Sequence, residues 1–79
     1  MKCQVLASNV AQVSLSDGTE VLYSYQTAVA IFIPGRGWVR DGHYYSKTTS
    51  RHINAHADRN AEMVTHEEFM KLIEAVTLA

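Results

Sequence analysis

From Val10 to Leu15 the chain alternates, with Ala11, Val13 and Leu15 on one side and Gln12 and Ser14 on the other. That period of two predicts a strand with one buried face. Ser16-Asp17-Gly18 follows as a tight turn, because glycine tolerates positive φ and aspartate bonds its own backbone. The return strand, Thr19 to Tyr25, sets Val21, Tyr23 and Tyr25 against Glu20, Leu22 and Ser24. Ala28-Val29-Ala30-Ile31-Phe32-Ile33 is apolar throughout, the pattern of a central strand covered on both faces. Pro34-Gly35-Arg36-Gly37 ends it, Trp38-Val39-Arg40 starts another strand, and Tyr44-Tyr45 completes a meander after the Asp41-Gly42 turn.

From Thr49 the period becomes helical, with Ile53, Ala57 and Ala61 as a stripe of small residues, in a first helix that is short and polar. A hydroxyl among Thr48, Thr49 and Ser50 caps it; which one is left open. The second helix is better specified. Thr65 and Glu68 form a capping box, Val64 and Phe69 a hydrophobic staple, and Phe69, Leu72, Ile73 and Val76 recur at helical spacing. The expected fold is therefore α+β: a small antiparallel meander sheet of roughly four to five strands, followed by two C-terminal helices packed on one face. The expected core is Val13, Leu15, Val21, Val29, Ile31, Phe69, Leu72, Ile73 and Val76.

Composition fits one packed domain of 79 residues: 47% of positions are hydrophobic, and four glycines and one proline leave little for disorder. Cys3 is the only cysteine, so no internal disulfide forms, and it reads as a small apolar residue of a first strand. With no secretory or membrane-spanning run, the expectation is a cytoplasmic protein, without membrane contact. Charge is segregated. Residues 36–59 carry Arg36, Arg40, Lys47, Arg51 and Arg59 against Asp41 and Asp58, whereas residues 60–79 carry Lys71 against Glu62, Glu67, Glu68 and Glu74.

The candidate chemistry is sparse. His52 and His56 share a helical face, with His43, His66 or Cys3 as remote further donors, but Ile53-Asn54-Ala55 between them lacks the glutamate of a hydrolytic zinc signature. Packing or solvated histidines are the preferred reading, and no metal or cofactor is expected. Gly35-Arg36-Gly37 lacks the continuation of a phosphate loop. Ser46, Thr48, Thr49 and Ser50 at a helix start suit capping better than anion binding. With no set of acid, base and nucleophile, the chain is not read as an enzyme. The basic-aromatic segment carries the site expectation: Arg36, Trp38, Arg40, Tyr44, Lys47, Arg51, His52 and Arg59 form a partner-binding surface. Arginine and aromatic side chains also neutralise phosphates and stack on bases, so a nucleic acid is the alternative partner, although a pI near 6.4 favours protein.

Two segments, Tyr23-Ser24-Tyr25-Gln26-Thr27-Ala28-Val29-Ala30 and Tyr45-Ser46-Lys47-Thr48-Thr49-Ser50-Arg51-His52-Ile53-Asn54, resemble a family of small proteins encoded by bacteriophages, prophages and plasmids. In that family a Tyr-Ser-Tyr-x-Thr-x-Val-Ala strand precedes a Tyr-Ser-x-Thr-Thr-x-x-His-Ile helix start. The resemblance covers the central half of the chain, and Ala28 stands where the family often has proline. It carries no established activity, but it implies a mobile-element origin and a bacterial host cytoplasm. By analogy of size and origin, the expected function is binding a host macromolecular complex, such as a CRISPR effector, as an anti-CRISPR or other counter-defence inhibitor. A monomer or a homodimer is expected, since a small sheet leaves edge strands free.

Overall fold

The computed structural model describes residues 2–7 and 9–77. Six strands form one sheet in sequence order: β1 (Lys2–Ala7), β2 (Val10–Ser14), β3 (Glu20–Ser24), β4 (Thr27–Ile33), β5 (Gly37–Asp41) and β6 (Glu62–Val64). β1 to β5 are an antiparallel meander, and β6 joins parallel to β5. Helix α1 (Lys47–His56) makes the crossover from β5 to β6, and α2 (His66–Thr77) follows β6. The α+β class agrees with the sequence reading. The expected strand number and the wholly antiparallel pairing do not, because Glu62-Met63-Val64 forms a sixth strand.

Turn chemistry explains the meander. Between β2 and β3, Gly18 adopts φ +93° and Thr19 N–H donates to Asp17 Oδ1 at 2.9 Å. The parallel edge depends on a close approach at Gly42, whose N–H donates to Val64 O at 2.8 Å. A Cβ at position 42 would lie 2.5 Å from that same carbonyl oxygen, so only glycine lets β6 approach the end of β5. Tyr44 and Tyr45, expected as a strand, instead lie in the connection leading to α1. Ser46 caps α1, accepting from Thr49 N–H at 3.0 Å, so Thr48, Thr49 and Ser50 lie inside the helix. Ala61 falls beyond the helix, which stops at His56. Thr65 caps α2 as expected, accepting from Glu68 N–H at 3.2 Å.

The helices pack on opposite faces, which corrects the expectation that both share one. Val21, Ile31 and Val39 lie in register across β3, β4 and β5, and pack with Val64, Phe69 and Ile73 beneath α2. On the other face Val10, Leu22, Val29, Ala30 and Ile53 form a second buried cluster, flanked by Leu6, Trp38, Tyr45 and Ala57. A β-bulge creates part of it: Leu22 pairs with Ala30 and Tyr23 with Ala28, leaving Val29 as the extra residue. Two consecutive side chains of β4 thereby serve the same cluster. Of the expected core, Val21, Val29, Ile31, Phe69 and Ile73 are buried, whereas Val13, Leu15, Leu72 and Val76 are half-buried. The sequence reading had placed Leu22 among polar neighbours, yet it is completely buried.

Strands are spaced about 4.8 Å apart and a helix is roughly 10 Å across, so one helix covers two or three strands. α2 lies over the β3 to β6 side of its face. Among the described residues no helix covers the β1–β2 side of that face.

Candidate binding surface

That uncovered part forms a groove of about 450 Å³, lined by Cys3, Val5, Asn9, Val10, Ala11, Val13, Tyr23, Tyr25 and Gln26. No Asp, Glu, Lys, Arg or His is among these lining residues. The register explains the lining: Cys3 pairs with Val13 and Val13 with Val21, while Val5 pairs with Ala11 and Ala11 with Tyr23. Directly opposed residues share a face. Val5 is 75% exposed and Tyr25 51% exposed, so the apolar surface is continuous and open.

A strained turn closes one end. Tyr25 and Gln26 are the two central residues of the β3–β4 hairpin, and both have positive φ, 52° and 67°. Two-residue hairpins of this kind prefer Asn-Gly, because a side chain in the left-handed region costs roughly 1–2 kcal/mol. Strain of this sort is characteristic of functional sites. Replacing Tyr25-Gln26 by Asn-Gly is expected to raise the melting temperature by several degrees, on the order of 1 kcal/mol. An unchanged or lowered thermal melt would show that the turn is not strained.

The turn is held from behind by the two segments singled out by their motifs. Ser24 Oγ lies 3.1 Å from Thr49 Oγ1 and 2.8 Å from His52 Nδ1, and Ser46 Oγ donates to Thr49 Oγ1 at 3.1 Å. The Tyr25 and His52 rings are 5.8 Å apart. A serine hydroxyl within reach of an imidazole has the geometry of an activated nucleophile. Ser24 is only 2% exposed, however, and its hydroxyl is spent on docking α1 against β3.

A second polar joint sits on β5, at the same end of the sheet as the β3–β4 turn. The carboxylate of Asp41, completely buried at the end of β5, accepts from His43 N–H at 2.9 Å, Tyr45 O–H at 2.5 Å and His66 Nδ1–H at 2.6 Å. Burial pushes the carboxyl towards its neutral form. The Tyr45 hydroxyl, the His43 N–H and the His66 ring outweigh this and hold its pKa below the ordinary value. Tyr45 is displaced the other way, its phenol held neutral by burial and by the donation to Asp41.

The expected basic-aromatic surface is divided by the fold. Arg36 Nε and Nη2 donate to Glu62 at 3.0 and 2.8 Å, so one cation of the basic segment is matched by an acid of the next. The Arg36 bonds hold the Glu62 carboxyl below its ordinary pKa. Trp38 packs half-buried against the α1-side cluster and edge-on to Phe32, at a ring separation of 5.6 Å. Arg40 is half-buried, and its Nε has no partner among the described residues. His52 is tied to Ser24. Tyr44, Lys47, Arg51 and Arg59 remain exposed. Among the described residues no group of three or more His, Cys, Asp or Glu side chains converges as a metal site. No helix among them is long and apolar enough to cross a membrane.

Sequence reasoning missed the groove. Its signal was the alternation of Ala11, Val13, Tyr23 and Tyr25, which looks the same whether or not a helix covers it. No curated protein and no solved structure matches the chain. The chain matches the model of a protein family over residues 1–71, and it belongs to that family, DUF8033, a family of unknown function.

Proposed function

We propose that this chain is a small binding protein that acts by occupying a surface of a larger host complex, as a counter-defence inhibitor of the anti-CRISPR kind does. One observation carries the reading: an uncharged apolar groove lies open on β1 to β3, rimmed by the exposed Tyr25. Exposed aromatic residues around an apolar depression suit the buried anchors of protein interfaces. The sequence resemblance to mobile-element proteins supplies the host as the partner's source. The test expresses the tagged chain in a bacterium with active CRISPR interference. Wild type is expected to restore plating of a targeted phage and to retain the effector complex, and Val5→Asp and Tyr25→Asp to lose both while remaining folded. Full interference in the presence of wild type, or variants as active as wild type, would reject the proposal.

A second reading rests on α1. Residues 42–57 contain Lys47 and Arg51 and no acidic residue, both cations are exposed, and Tyr44 beside them is 68% exposed. That set would contact phosphates and stack on a base of a single strand. Its mark is affinity for a single-stranded oligonucleotide that falls steeply with salt and is lost in Lys47→Glu/Arg51→Glu. Salt-independent or absent retention removes it.

A further inference from the structure

The two edges of the sheet are not equivalent. β6 is three residues long, and the Arg36–Glu62 ion pair lies across its start. β1 is six residues long, contains no proline, and carries Lys2 as its one charge. Its one irregularity is the bulge between Val5 and Ala7, near its end. Among the described residues no strand lies beyond it. Natural sheets blunt such edges by shortening, charge, proline or bulges, because a row of unpaired N–H and C=O groups templates another strand. β6 is protected in this sense, and β1 is protected only at its last residues.

We propose that β1 pairs antiparallel with β1 of a second copy, extending the sheet across a two-fold axis. This interface involves no host partner; it shares Cys3 and Val5 with the groove, whereas Gln4 does not line the groove and so tests the interface separately from the function proposed above. Its register follows from the faces. A two-fold perpendicular to the sheet keeps each side chain on its own face, so opposed residues must both be odd or both be even, and the axis must pass through a residue pair. Centring on Gln4 engages the strand from Lys2 to the bulged Leu6, with the regular pairing over Cys3, Gln4 and Val5. It sets Cys3 against the second copy's Val5 on the groove face, apolar against apolar, and does so twice. On the α1 face Lys2 meets the second copy's Leu6, which keeps the two lysines at opposite ends of the pair. β1 thus supplies an alternating strand, with its single charge at one end, that its own edge accepts.

The strand's chemistry selects a second copy over an unrelated segment, because both halves of the match are on this chain. The groove lies beside the edge, lined at that side by Cys3 and Val5. Pairing therefore brings the two grooves together on one face of the joined sheet.

Gln4 provides the test, since it is exposed and its replacement leaves both core clusters intact. Light scattering on the eluting protein, from roughly 10 µM to roughly 1 mM, is expected to show a monomer passing to a dimer. Gln4→Lys and Gln4→Glu each place like charges directly opposite at the axis and should weaken the dimer by roughly fivefold. An equal mixture of the two should form a heterodimer tighter than either variant alone. Circular dichroism of each variant confirms that it is folded. A monomer throughout the range overturns the proposal. So does a dimer indifferent to both charges, which would place the contact elsewhere, and so does a mixture no tighter than its components.

Discussion

Replacing Asp41 by alanine is expected to destabilise the fold by about 3–5 kcal/mol, the range for removing one partner from a buried charged network. The substitution leaves the His43 N–H, the Tyr45 hydroxyl and the His66 ring without their common acceptor. These donors come from both sides of the sheet: Tyr45 packs with the α1-side cluster, and His66 begins α2. One carboxylate therefore fastens both helices to the end of β5. Small domains hold only about 5–15 kcal/mol in total, so much of the stability is at stake. Urea unfolding measures it, and a change under about 0.5 kcal/mol, typical of a neutral surface site, would reject the assignment. Acidity gives a second measurement. Because the folded carboxyl sits below its ordinary pKa, its contribution is complete above the ordinary carboxylate range and is lost as pH falls through that range towards the folded value. The melting temperature of wild type should drop below about pH 4, and that of Asp41→Asn should change less there.

Phe69→Ala is expected to cost about 3–5 kcal/mol, as large-to-small changes at closed aromatic sites do. Phe69 is fully buried beneath α2 and packs with Val21, Ile31, Val39, Val64 and Ile73. The cavity would open between the helix and the centre of the sheet, where few neighbours are free to collapse into it. Thermal melting should show a single transition at much lower temperature. A melt within a few degrees of wild type would mean that α2 is not held by this face.

Local signals were legible and non-local ones were not. Asp17-Gly18, Pro34-Gly35 and the Thr65 cap each specify their own neighbourhood, and each turn or helix start was found where the residues put it. Leu22 was misread because its strand neighbours Glu20 and Ser24 are polar, although Ser24 is itself buried by its bonds to Thr49 and His52. Alternation cannot distinguish a solvent face from a face covered by a distant helix. The sixth strand, Glu62-Met63-Val64, is too short to carry a period, and the Gly42 approach that makes it a strand lies about twenty residues away in sequence. The basic segment likewise looked continuous because charge was read along the chain. The Arg36–Glu62 pair crosses from one charge block to the other.

The crossover through α1 also orders events in time. β1 to β5 are joined by short turns, so each hairpin can close while its neighbours are still unfolded. β6 and α2 must wait until residues 42–61 have swung back to the outer side of β5, and that closure carries the largest single loop entropy. The meander is therefore expected to form first in refolding, and the α2 side to dock after it.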